Sequence, residues 1–367
     1  MKYFSSILLL FLLLTNQNVY GQRDEDKVYQ MKWSRLVYTQ PDDWYKSEQA
    51  KSIAENVLLY QRNTGGWPKN IAIHMPLTEE EQEEVHVDKK RTDDSTIDND
   101  ATFLEICYLA KIYNATEDIR YKDAFQKGVQ YLIEAQYENG GWPQFYPLRK
   151  GYYSHITYND NAMVNTMLIL RSIAQKEYPY TSIVVDSVVE KSSNAFNKGV
   201  ECILNTQYVQ KGKLTVWCAQ HDEFTLAPAK ARSYELPSLS AGESVQIVKL
   251  LMNIENPSER MKSSVMSAVR WFDENRVKGI KLERFKNEEG IWDRRVVEDK
   301  NAPDLWGRFC GLDDNRPFFC DRDGVMKYSL AEIGHERRNY YRWYCGEANE
   351  LFLLYHSWLK KNNLSNN

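Results

Sequence analysis

Apolar residues recur three and four positions apart through most of this chain. Ala50, Ile53, Ala54, Val57 and Leu58 fall on one helical face, as do Tyr121, Ala124, Phe125, Gly128, Leu132 and Ala135. Phe196, Gly199, Val200 and Ile203 repeat the pattern, and Ala348, Leu351, Phe352, Tyr355, Trp358 and Leu359 close it. Weaker versions run over 101–113, 161–174, 242–253 and 261–272. About eight helices are predicted on this periodicity. One region departs from it. Over 279–297, Ile280, Leu282, Trp292 and Val296 alternate with charges around Gly290, the two-residue period of a β-hairpin.

The helical runs also repeat. Gln61, Gln136 and Gln207 each end a run and precede a turn and a Trp, 75 and 71 residues apart. That interval fits one helical hairpin with its loops, and alternating inner and outer helices of this period make an α/α barrel. Two of the turns read Gly65-Gly66-Trp67-Pro68-Lys69 and Gly140-Gly141-Trp142-Pro143-Gln144. The glycines suit positive φ, and the prolines stop a helix from running on. The fold class expected is mainly α, with the N-terminal ends of the inner helices gathered at one face. No linker or low-complexity tract divides residues 22–367, so one domain is expected.

Residues 1–21 combine a basic start at Lys2, an apolar run from Ile7 to Leu14 and a small-residue exit, the form of a cleaved secretory signal. The run is too short to span a bilayer. The protein is therefore expected outside the cytoplasm, secreted or periplasmic, without a membrane anchor and as a monomer. A net charge of −4 gives no basic excess and argues against nucleic acid as a partner. Aromatic residues make up 13% of the chain, including 24 Tyr and 10 Trp, an excess that suits stacking on sugars. Six cysteines in an exported chain allow disulfides, and Cys310 with Cys320 is the pair best placed for one.

Both GGWP turns are followed by an acidic and amide triplet before the next helix: Asp98-Asn99-Asp100 in TIDNDAT, and Asn159-Asp160-Asn161 in TYNDNAM. Asp and Asn at a helix start ordinarily cap it by accepting bonds from free backbone N–H groups. A cap needs one such residue, and here there are three, twice. The surplus oxygens of Asp98, Asn99 and Asp160 suit a hard cation such as Ca²⁺, held by separated side chains and substrate oxygens rather than by an EF-hand. Lys230 and Arg232 lie in a loop bounded by Pro228 and Pro237. Arg308, Arg316 and Arg322 recur among aromatics in a second loop, where a guanidinium fork can grip a carboxylate. Carboxylates at a repeated position, with Tyr, Trp and Arg in excess, point to a charged sugar at one end of the ring.

The strings TIDNDAT, NGGWPQFYP, TYNDNAM, WCAQHD with PAKARSYE, and NRPFFCDRDGV occur in this order between about Trp44 and Leu359. Together they resemble the family 10 polysaccharide lyases, which are pectate lyases. The resemblance implies an (α/α)₃ barrel and calcium-assisted β-elimination of polygalacturonate with an arginine base. On the matching motifs the base falls on Arg232, a calcium ligand on Asp160, and an acidic substrate or metal site on Asp98. A substrate-carboxylate arginine falls on Arg316 or Arg322, with Lys230 beside the base. Two alternatives rest on the same residues. An inverting α/α-barrel glycoside hydrolase would draft Glu235 or Asp98 as acid and base, and a non-catalytic glycan binder would use the aromatic cleft alone.

Overall fold

The computed structural model describes residues 27–364, so the expected signal segment lies outside the described residues. Eight long helices carry the architecture: α1 (Glu48–Tyr60), α2 (Phe103–Thr116), α3 (Ile119–Glu134), α4 (Ala162–Ala174), α5 (Asp186–Thr206), α6 (Ala241–Met252), α7 (Glu259–Glu274) and α8 (Ala348–Lys361). They form three consecutive hairpins, α2/α3, α4/α5 and α6/α7, in an α/α barrel. Inner helices α2, α4 and α6 pack on one another. Outer helices α1, α3, α5, α7 and α8 follow each other around them, with α8 also covering α6.

Burial follows this division. In α2 every residue from Phe103 to Ala110 is buried, because protein surrounds that helix on all sides. In α3 only Tyr121, Ala124, Phe125, Gly128, Val129, Tyr131 and Leu132 are buried, a single stripe facing inward. The strong periodic signal in the sequence therefore marks the outer helices. Three of the four weak ones mark the inner helices, whose faces are apolar nearly all round; the fourth, 261–272, is outer helix α7.

The repeated Gln-turn-Trp unit has a physical role in each copy. Gln61 Nε2 donates to Gly65 O and to Ala124 O on the next outer helix, both at 2.9 Å. Gln136 does the same to Gly140 O (3.0 Å) and Ala195 O (2.8 Å), and Gln207 to Thr215 O (2.8 Å) and Ser264 O (3.1 Å). Each amide thus ties the end of one outer helix to the middle of the next. Each bond contributes about 1 kcal/mol net, and far more would be lost by leaving those buried groups unpaired. The Trp indole then returns to the helix it left: Trp67 to Val57 O, Trp142 to Leu132 O and Trp217 to Ile203 O, at 2.7–2.8 Å. A fourth copy, invisible as a motif, has Trp306 donating to Phe272 O. Gly140 has φ +90°, and a Cβ there would lie 2.0 Å from the Lys198 carbonyl oxygen. Only glycine fits.

The β-hairpin is present as Ile280–Lys286 paired with Trp292–Glu298, turning at Gly290 with φ +75°. It packs with the 306–345 segment around a second small core that includes Phe309, Phe318, Phe319 and Trp343. Two expectations are corrected. Cys310 and Cys320 are both free thiols, as are the other four cysteines. Cys310 pairs with Leu239 in a short strand, while Cys320 pairs with Met326, so the backbone directs them into different ladders. The acidic triplets do not cap α2 or α4 either: the residues at the cap positions, Thr102 and Asn161, make no side-chain capping bond.

Candidate active site

The triplets form left-handed turns instead. Asn99 and Asp100 have φ +50° and +66°, and Asp160 and Asn161 have +51° and +63°. Asn and Asp tolerate this region better than other residues with a Cβ, which accounts for their choice here. Each turn is launched from an extended Thr fixed to the preceding Trp: Thr96 N–H donates to Trp67 O (3.1 Å) and Thr157 N–H to Trp142 O (3.0 Å). Ser240 N–H repeats the bond to Trp217 O at 2.7 Å, so α6 begins at the equivalent place without the triplet. Three inner-helix N-termini thereby open on one face.

The position two residues after each repeat Trp serves these turns. Lys69 and Gln144 both bond Asp98 Oδ2. Arg308, two residues after Trp306, donates to Asn159 Oδ1 at 3.2 Å and lies 3.6 Å from Glu243 and 4.0 Å from Asp160. Where Trp217 is followed by Ala219, the backbone carbonyl takes over, accepting from both Tyr158 N–H and Asn159 N–H at 2.9 Å. Glu243, bonded by the Ser240 hydroxyl, is the acid of the third copy. Sequence reasoning missed it because it lies one turn inside α6 rather than in a triplet. The Trp-x-(Lys/Gln/Arg) spacing was the available signal for Arg308.

Asp98 and Glu243 both act on Asp160. Asp160 is exposed at the turn, yet the surrounding loops partly desolvate it and so raise its pKa; Arg308 opposes this, while Glu243 and Asp98 reinforce it. Asp100 is raised by burial and by Asp98. Carboxylates that repel one another across a shared space favour a cation. Asp98 Oδ1 and Gln144 Oε1 are buried acceptors without a partner among the described residues, and all these donors are oxygen. The set fits a hard ion such as Ca²⁺. Asn99 is exposed and donates to Asn70 Oδ1 at 2.9 Å. Among the described residues, one trio has mutually close metal-ligating atoms, His155, Asp222 and Glu223. Its members are engaged already, His155 with Glu223 at 2.9 Å and Asp222 with the Thr225 turn.

Arg232 sits on a tight turn in which its N–H bonds Glu235 Oε2 (3.1 Å) and its guanidinium bonds Tyr234 Oη (3.1 Å). It also hydrogen-bonds the Tyr152 hydroxyl. Burial alone would lower its pKa, but Glu235 and the two tyrosines hold it above the ordinary arginine value. A chain of contacts joins it to Asp160: Glu235 accepts from Tyr341 Oη at 2.8 Å, and Arg308 lies 4.5 Å over the Tyr341 ring. Lys230 is exposed, near enough to the Cys320 thiol to act on it. Arg322 lies near Tyr234, on a loop whose Gly324 approaches the Ser233 carbonyl, and is paired with Glu336 at 2.9 Å. Arg316 lies 3.8 Å over Tyr328, and its neighbour Asn315 is tied to Trp271 on α7, toward the outer wall. Of these two arginines, the fold brings Arg322 to the Arg232 turn.

Residues 61–352 match the family model of pectic acid lyases. The chain belongs to that family. Two solved structures of a family 10 polysaccharide lyase from Cellvibrio cellulosa are similar to it. The first, an aspartate-to-alanine mutant in complex with trigalacturonic acid, is 33% identical with a TM-score of 0.74, over 85% of this chain and 93% of the other. The second is also 33% identical, with a TM-score of 0.73 over 86% and 94%. No curated protein matches. The protein is thus a polysaccharide lyase of the pectic acid lyase family, and its substrate is a polysaccharide. Among the described residues no helix is long and apolar enough to cross a membrane.

Proposed function

We propose that this protein cleaves α-1,4-linked polygalacturonate by calcium-assisted β-elimination, with Arg232 as the base, and releases 4,5-unsaturated oligogalacturonates. The reading also takes the chain to be exported, by the signal at 1–21. The Cellvibrio relative bound to trigalacturonic acid supports the substrate. The observation that carries the reading is the single run of contacts from Arg232 through Glu235, Tyr341 and Arg308 to Asp160.

Elimination removes the C5 proton of a uronate and expels the oxygen at C4. The neighbouring carboxylate resists further negative charge, so the transition state needs cations around it. Calcium, when bound, supplies positive charge to that carboxylate. Asp160 is the residue proposed to hold the ion, with Asp98 joining through water or substrate, and Asn99 at the turn position equivalent to Asp160. Arg308 adds fixed positive charge, Arg322 would bind a substrate carboxylate in exchange for Glu336, and Lys230 binds the chain beside the base. Arg232 is predominantly protonated at neutral pH, because Glu235 and the tyrosines favour its cation. The small deprotonated fraction limits the rate, so activity should climb with pH above neutrality.

The hydrolase alternative fits less well. It needs two free carboxyl groups. Glu235 is occupied by Tyr341 and the Arg232 N–H, and Asp98 by Lys69 and Gln144. The test is ultraviolet absorbance during incubation with polygalacturonate. A lyase gives a conjugated product with Ca²⁺ and stops on addition of EDTA. Saturated products formed in EDTA would mean hydrolysis.

A further inference from the structure

A second run of side chains leaves Arg232 in the opposite direction. Tyr152, which bonds Arg232, lies 4.1 Å from the Tyr153 ring, and Tyr153 stands perpendicular to Phe145 at 5.4 Å. Lys69, the partner of Asp98, lies 5.4 Å from the same Phe145 ring. Arg149 rests on this platform, 5.1 Å over Phe145 and 4.5 Å over Tyr153. Phe145 is held from beneath, since Thr96 pairs with it and the Gln144 N–H donates to Tyr153 O at 3.0 Å. The platform is therefore built on the repeat scaffold and bridges the two ends of the site.

The state of Arg149 sets it apart from most arginines near the site. Arg322 and Arg338 are neutralised by Glu336 and Asp293. Arg149 is exposed, and its guanidinium makes no hydrogen bond or ion pair among the described residues. The carboxylate nearest in effect is Asp93, which is itself bonded by Arg91. Two rings set at right angles locate the guanidinium without using its donors, and an arginine held in this way is available for bidentate binding of a carboxylate.

We propose that Arg149, on the Phe145–Tyr153 platform, forms a separate uronate subsite. It grips the carboxylate of a galacturonate residue next to the reacting one, while the buried Phe145 and the Tyr153 ring hold the arginine in place from below. The substrate identity rests on the function proposed above. The test is calorimetric binding of saturated oligogalacturonates, with carboxyl-reduced oligosaccharides of the same length as the neutral control, to wild type, Arg149→Ala and Arg149→Lys. Arg149→Ala should weaken oligogalacturonate binding about tenfold and leave the neutral ligand unaffected, with Arg149→Lys intermediate. In turnover the loss should appear in KM far more than in kcat, and it should be larger for longer chains. Equal affinity of wild type and Arg149→Ala, or an equal loss for the neutral ligand, would overturn the subsite. Arg149-dependent binding without any unsaturated product would keep the subsite and sink the lyase mechanism, so the two readings fail separately.

Discussion

The two acidic turns share a backbone and invert its chemistry. Aligned from Thr96 and Thr157, the first writes Asp98-Asn99-Asp100 and the second Asn159-Asp160-Asn161, with the left-handed pair at the same two positions. The first triplet position points inward: Asp98 is buried against Lys69 and Gln144, and Asn159 is held by Arg308. The middle position faces out, and both Asn99 and Asp160 are exposed there. At this middle position only the second copy therefore presents a carboxylate to the open face. One turn holds its acid inward through one oxygen, and the other leaves its acid open to a ligand. A repeat can thus keep a geometry while moving a charge by one residue to change its role.

The largest effect should come from Arg232, the proposed base. Arg232→Ala should lower turnover by about 10³-fold or more while trigalacturonate still binds, since loss of a base acts on the transition state. Arg232→Lys should fail as well, because the amine lacks the reach and geometry of the guanidinium. Stopped-flow ultraviolet kinetics beside calorimetry separates the two effects.

Asp160→Asn keeps a residue that tolerates the left-handed turn and removes only the charge. Turnover at limiting Ca²⁺ should fall about 10²-fold and recover in part as the ion is raised. Asn99→Asp makes the converse change, placing a carboxylate at the outward position of the first turn, and should strengthen calcium binding. If both substitutions were neutral, the outward position would have no special role.

The inward-held turn should show itself in stability more than in calcium. Lys69→Met leaves the buried Asp98 with Gln144 as its remaining side-chain partner, and should cost about 2 kcal/mol in denaturant unfolding. Adding Asp98→Asn to that variant should recover most of the loss. If the double variant were as unstable as the sum of the singles, Lys69 and Asp98 would not be coupled.

The smallest effect concerns Glu105, in the first turn of α2, on which Asp100 acts. Burial pushes its carboxyl up to about 7, with one oxygen accepting from Trp33 and the other unpartnered. The folded state therefore holds this proton more tightly than the unfolded chain, so its contribution is full in acid and lost as pH rises from about 4.5 through 7. Glu105→Gln should gain about 1–2 kcal/mol over wild type at pH 8, and the gain should vanish near pH 4.

Much of this arrangement could be read from the chain alone. Outer-helix stripes such as Tyr121–Leu132, the Gln–Trp repeat and the hairpin at 280–298 all carry their own period. The helix Glu79–Asp88 did not, because only Val85 in it is buried and a Thr78–Glu81 capping box holds its start. The surplus of Asp and Asn before α2 and α4 was visible, but their left-handed conformation was not. Sequence cannot distinguish a capping Asp from one that occupies positive φ. Arg308 was visible as a possible carboxylate grip but its partners were not, and Glu243 was hidden, for a different reason. Each acts across the barrel, Arg308 on Asn159, which is 149 positions away. Proximity of that kind is created only when the inner helices come together.

The most direct measurement is a calorimetric calcium titration of the protein saturated with trigalacturonate, comparing wild type, Asp160→Ala and Asp98→Asn. The account predicts that Asp160→Ala abolishes calcium binding or weakens it at least about tenfold more than Asp98→Asn does. Unchanged calcium affinity in Asp160→Ala would contradict it and move the metal away from the second turn.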